Sequence, residues 1–256
     1  TSGNGIITCS AAVTAGVDIV DVATAAMSSG TSQPSMSSLY YALENGNRAP
    51  ELDIDNASQI NHYWEDVRKF YAPFEKGLTS PQTEVYSHEM PGGQYTNLQS
   101  QATAVGLGLR FDEVKAMYHT VNMMFGDIIK VTPSSKVVGD MALFMVQNDL
   151  TEEDIYEKGD TLSFPESVIS FFAGDLGQPV GGFPEKLQKI ILKDKPFITD
   201  RPGLHAAPVN FDDVVAELTE KLGYKPGQHE VLSYILYPQV FLDYQKMQNE
   251  FGSVTL

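Results

Sequence analysis

Apolar residues recur along this chain mainly at helical spacing, and the most informative stretch is the one where that spacing restarts after a proline. Val137, Val138, Met141, Ala142, Phe144 and Met145 make one apolar helix face. Ahead of them, Ile128-Ile129-Lys130-Val131 is a short apolar run stopped by Thr132-Pro133. Proline disfavours the α region for the residue before it, so Thr132 is expected to be extended and outside any helix. Pro133 lacks a backbone donor and suits the position just ahead of a helix start, where Ser134 and Ser135 are expected to cap. Three hydroxyls and the Lys136 cation then surround one helix N-terminus, whose free N–H groups and dipole favour an anion or a polarised carbonyl. The same residues also read as a capped, buried helix after an ordinary turn.

The rest of the chain is organised in the same way, with one exception near its start. Asn4 is expected to cap a helix through Ile6, Ile7, Ala11, Ala12 and Ala15, closed by Gly16. Val17 to Val22 then alternates and is β-branched, which predicts a strand. A Ser/Gly/Thr loop from Met27 to Ser35 and a helix from Ser37 to Leu43 complete a helix–strand–helix run, the tail of a parallel α/β structure. Asp21, near the strand's end, is either an active-site carboxylate or a loop brace.

Asn45 to Asp55 is polar and reads as a boundary. Beyond it, Ile60, Tyr63, Trp64, Val67 and Tyr71 predict a helix whose aromatic face packs in a core. Thr83 to His88 reads as short and extended, and Pro91-Gly92-Gly93 as a turn from which Gln94 opens a helix. His88 and Glu89 are adjacent and share no face, so they make a poor metal pair. Helices are then predicted from Phe111, Thr151 and Ser163, and Gly177 to Leu187 reads as a Pro/Gly loop entering another. A linker from Lys193 to Gly203 leads to three amphipathic segments, Phe211 to Leu222, Gln228 to Leu236 and Val240 to Phe251.

Charge narrows the partners. With 33 acidic against 17 basic residues the formal net charge is −16, which repels phosphate backbones and anionic lipid. No apolar run reaches the roughly 20 residues of a membrane span. The lone Cys9 fits a reducing, cytoplasmic setting, and the start on TSGNG without a methionine reads as a piece of something longer. The five histidines lack ligand spacing, and no phosphate-binding glycine loop, HExxH or CxxC occurs.

Five stretches together resemble the carboxyltransferase domain of the biotin-dependent pyruvate carboxylases: MSSGTSQPSMSSLYYAL, HEMPGGQYTNL, KVTPSSKVVGDMALFMVQNDLT, FPESVISFFAGDLGQPVGGFPEKLQKIIL and the late RPG. The likeness covers essentially the whole chain. It implies an α/β TIM-barrel remnant, consisting of the last strand and its helices over residues 1–47, followed by a mainly α-helical funnel over residues 48–256. It implies transfer of a carboxyl group from carboxybiotin to pyruvate, giving oxaloacetate, with Thr132 as the threonine that relays a proton. Gln94, Ser135 and Lys136 match positions around the incoming biotin.

The biotin itself, carried on another domain, and a biotin carboxylase domain that cleaves ATP would lie elsewhere in the same polypeptide. The ligands of a divalent metal would lie upstream of Thr1, so no metal ligand is expected here. A homo-oligomer is implied, and neither nucleic acid nor membrane is a partner. Two other readings stay open: an oxaloacetate decarboxylase or transcarboxylase-type subunit, and a non-catalytic helical assembly module.

Overall fold

Helical periodicity in the sequence becomes helix in the computed structural model, which describes residues 1–75, 78 and 80–252; the end of the expected funnel, 253–256, lies outside the described residues. Chain order gives α1 (Gly5–Ala15), α2 (Met36–Leu43), α3 (Ile54–Tyr71), α4 (Val85–His88), α5 (Gly92–Ala104), α6 (Phe111–Met124) and α7 (Ser134–Gln147). There follow α8 (Glu152–Lys158), α9 (Glu166–Phe172), α10 (Glu185–Leu192), α11 (Phe211–Leu222), α12 (Gln228–Leu236) and α13 (Pro238–Phe251). Local chemistry sets several of these ends. Gly16, at φ 109°, takes the left-handed conformation that closes α1. At the start of α8, Thr151 Oγ1 accepts from the Asp154 N–H at 3.2 Å while Asp154 Oδ2 accepts from the Thr151 N–H at 2.9 Å.

Two compact units divide the chain, Thr1–Pro202 and Gly203–Leu256. The boundary falls within the linker read from Lys193 to Gly203. In the first unit, α5, α6, α7, α9 and α10 bury a continuous core that includes Leu98, Val114, Val138, Met141, Met145 and Leu187. Phe125 stacks on Phe171, with ring centroids 5.8 Å apart, and meets Phe172 edge-on at 5.0 Å. This aromatic packing adds to the burial that holds α9 against α6. In the second unit, Leu218, Val231, Tyr234 and Phe241 join α11, α12 and α13 around a smaller core.

Three sequence expectations are corrected. Among the described residues there is no strand, so the α/β barrel remnant is absent and the fold is helical. Val17 to Val22 is irregular, Ile19 is 83% exposed, and a β-bridge pairs Ala23 with Ser35 outside that run. A strand exists only through its ladder, and an alternating β-branched run with no extended neighbour has nothing to pair with. The aromatic face of α3 is also not a core. Ile60, Tyr63, Trp64 and Tyr71 are exposed, and within α3 only Ala57 is buried. Polar contacts hold this helix instead: the Ala26 N–H donates to Asn61 Oδ1 at 2.7 Å, and the Arg68 guanidinium donates to the Ala26 carbonyl. Finally, the stretch read as extended before His88 contains the helical turn α4, because its N–H groups close back locally, Ser87 and His88 both onto the Glu84 carbonyl.

Candidate functional site

The turn that enters α7 is built by one serine that does not cap it. Ser134 Oγ lies 2.7 Å from the Ile129 carbonyl and 2.6 Å from that of Val131, and it accepts from the Val131 N–H at 3.2 Å. The hydroxyl therefore ties the turn back on the preceding run, and no side chain caps the helix. The expected Ser134 cap is replaced by this arrangement because a serine hydroxyl satisfies only a few groups, and here nearby backbone groups engage it. Thr132 sits in that turn, exposed, outside any helix, and joined to Pro133 by a cis peptide bond.

Behind the turn, the first residues of α7 are anchored to two other helices. Ser135 is buried, and its carbonyl accepts from Tyr118 Oη on α6 at 3.3 Å. Burial raises the Tyr118 phenol well above its ordinary range, so it stays a neutral donor. Gly139, one turn beyond Ser135, permits close approach of α5: a Cβ there would stand 2.6 Å from Gln94 Nε2 and 3.0 Å from Leu98 Cδ1. Gln94 is only 7% exposed, and its Nε2 has no hydrogen-bond partner. A buried amide donor left without an acceptor is costly, by about 1–3 kcal/mol.

Lys136 lies on the neighbouring face, 54% exposed, with Nζ 2.5 Å from Asp140 Oδ2. So the fold brings Gln94 against α7 at Gly139, one turn from Ser135, with Lys136 next in the helix and Thr132 in the turn leading in. A cavity of about 310 Å³ opens next to this turn, walled by Ile129, Val131, Pro133 and Ser134 on one side and Leu176 and Val180 on the other.

Two further contacts support the site that spacing alone did not reveal. Lys130 Nζ reaches Glu89 Oε2 at 3.0 Å across a separation of 41 residues. Asp140 Oδ2 accepts from Ser167 Oγ at 2.6 Å. The only signal for the second lay in the four-residue spacing of Lys136 and Asp140. Asp21 is exposed. His88 is buried, with Nδ1 accepting from the Met90 N–H at 2.9 Å, and it is a turn-bracing residue.

Thr132, Ser135 and Lys136 thus lie at the start of α7, and Gln94 packs on its second turn at Gly139. The chain belongs to the conserved carboxylase domain family, whose model matches residues 85–256. Its relatives carry a more particular name. Pyruvate carboxylase of Bacillus subtilis is 56% identical over 256 residues, covering 100% of this chain and 22% of that protein. Pyruvate carboxylase of Staphylococcus aureus is 53% identical, with the same coverage.

The solved carboxyl transferase domain from Rhizobium etli pyruvate carboxylase, with pyruvate and biocytin, is 48% identical with a TM-score of 0.91. That match covers 99% of this chain and 43% of that one. The complete multifunctional enzyme from Rhizobium etli matches with a TM-score of 0.89, over 99% of this chain and 25% of its own. The chain thus spans 22% of the length of the curated relatives it matches. Among the described residues, no helix is long and apolar enough to cross a membrane.

Proposed function

We propose that this chain is part of a biotin-dependent carboxyltransferase that moves a carboxyl group to pyruvate to give oxaloacetate. Thr132 Oγ1 is the proton-relay hydroxyl, and Gln94, Ser135 and Lys136 receive the biotin. The observation that carries this reading is the buried, unpartnered Gln94 Nε2 packed against the first turns of α7. Biotin's ureido group offers the carbonyl oxygen that such a donor and the Lys136 ammonium need, so these residues fit the cofactor. The kinship with pyruvate carboxylases supports pyruvate as the acceptor.

Bound carboxybiotin would supply the carboxyl group, its N–C bond breaking as the C–C bond to the pyruvate methyl carbon forms. Thr132 Oγ1 takes the proton leaving that methyl group while giving up its own toward the ring nitrogen. A hydroxyl both donates and accepts, so the proton passes without net charge on the side chain. Free threonine is a very weak base, and the transfer must be concerted, with both partners within about 3 Å of Oγ1.

Among the described residues no group of three or more His, Cys, Asp or Glu side chains is placed to hold a metal. The ligands of the divalent metal implied by the resemblance are assigned to the part of the polypeptide upstream of Thr1, and no step here uses that metal. We assign the biotin carrier and biotin carboxylase domains to the remainder of the same polypeptide, which assembles as a homo-oligomer in the cytoplasm.

The test is a pair of substitutions in the complete enzyme. Thr132→Ala should lower carboxyl transfer at least about 10²-fold, the usual scale for losing a proton-transfer group, and Thr132→Ser should recover part of it. Equal loss in both variants would contradict a hydroxyl relay.

A further inference from the structure

We propose that Asp140 is a positioning residue for Lys136, anchored in turn by Ser167 of α9; this rests on the reading of Lys136 as a biotin contact. Lys136 is the third residue of α7, whose first turn contains no acidic side chain. A cation there faces the positive end of the helix dipole, where helices disfavour it. Its partner is one turn on, at 2.5 Å. An exposed pair in this order, base before acid, contributes little by itself.

This acid is not a free surface group. The Asp140 side chain is 15% exposed, against 54% for Lys136, and the oxygen that meets the ammonium also accepts from Ser167 Oγ at 2.6 Å. Ser167 lies in the first turn of α9, which packs on α7 in the main core. The carboxylate is therefore fixed from a second helix, and the flexible lysine gains a stationary anchor beside the helix start.

An ammonium carries three donors, so one N–H on Asp140 leaves two for a ligand oxygen. Ordering a long side chain before the ligand arrives removes that ordering cost from binding. Asp140 and Ser167 thus act on affinity for biotin through Lys136 and touch no reacting atom.

The experiment uses the complete enzyme, with free biotin as the probe in biotin-dependent oxaloacetate decarboxylation, the proposed transfer run backwards. Asp140→Asn keeps the shape and an acceptor for Ser167, and Ser167→Ala removes the anchor alone. Each should raise KM for biotin about three- to tenfold with kcat held within about twofold. On a Lys136→Gln background, which itself raises KM, Asp140→Asn should add nothing. Should Asp140→Asn fail to fold, Ser167→Ala alone and on the Lys136→Gln background gives the same comparison. An unchanged KM in the single variants, or a full additive effect on that background, overturns the positioning role and leaves Lys136 as a biotin contact. An unchanged KM in Lys136→Gln overturns the contact and the inference together.

Discussion

Lys130 Nζ lies 3.0 Å from Glu89 Oε2 and so ties the run that leads to Thr132 to the turn that leads to Gln94. Glu89 holds a left-handed backbone conformation, φ 56°, at the end of α4, and the Lys130 side chain is only 14% exposed. His119 Nδ1 stands 3.8 Å from the same carboxylate oxygen, and Asp127 is 3.8 Å from Lys130. Two segments with no contact in sequence are in this way held at one distance.

Replacing Glu89 by Gln should cost roughly 0.5–1 kcal/mol, the upper end for a partly exposed pair, since Asp127 remains as a weaker partner. Urea midpoints of the two proteins should converge as salt is raised, because screening weakens the pair in the wild type only. A gap that salt does not change would mean that Glu89 acts through its backbone conformation.

Close packing of α5 on α7 predicts that Gly139→Ala is destabilising. An alanine normally gains about 1 kcal/mol over glycine inside a helix. Here its Cβ would meet Gln94 Nε2 at 2.6 Å and Leu98 Cδ1 at 3.0 Å, and Leu98 is fully buried. Overpacking of this kind costs about 1–3 kcal/mol, so the balance favours a net loss. Adding Gln94→Ala should return most of the stability in thermal melts. A stabilised single variant would contradict the tight approach.

His88 gives the protein a pH dependence of definite sign. Burial lowers its pKa from the ordinary value of about 6.5, the Lys115 ammonium lowers it further, and Glu84 opposes in part. The unfolded chain therefore binds a proton that the folded one refuses. Stability falls as pH drops below about 6.5 and goes on falling until the depressed folded pKa is reached. Lowered carboxylates such as Glu217, held by Lys221 and the Tyr234 hydroxyl, act at more acid pH, from the ordinary carboxylate range downward. His88→Gln retains an acceptor for the Met90 N–H and should flatten the curve of melting temperature between pH 7 and 5. An unchanged slope would assign it to other groups.

Much of this was legible in the sequence, for physical reasons that differ between elements. The spacing of Val114, Tyr118, Val121 and Met124 and that of Val137, Val138, Met141 and Met145 identified α6 and α7 because both faces are buried in one core. Gly16 and the acidic start at Thr151 marked helix ends through strictly local chemistry.

Val17 to Val22 misled because β-branched alternation describes a surface that suits a sheet, whereas a strand requires a partner. Tyr63 and Trp64 misled because helical spacing identifies a face without telling what lies opposite it. Thr132, Ser135 and Lys136 stood out as a polar helix start and took their roles, with Gln94, through resemblance, while the Glu89–Lys130 tie joins residues 41 apart and left no local trace. Ser134 was expected to cap the helix and instead its hydroxyl bonds backward to Ile129 and Val131.

The most direct measurement is a pair of rates in the complete enzyme, pyruvate carboxylation and the biotin-dependent ATP cleavage that precedes it, for wild type and Thr132→Ala. Thr132 is exposed, so folding stability should change by no more than about 0.5 kcal/mol. Carboxylation should collapse while ATP cleavage persists, because the lost hydroxyl serves only the transfer to pyruvate. Survival of both rates would make Thr132 a residue of the turn into α7 and nothing more.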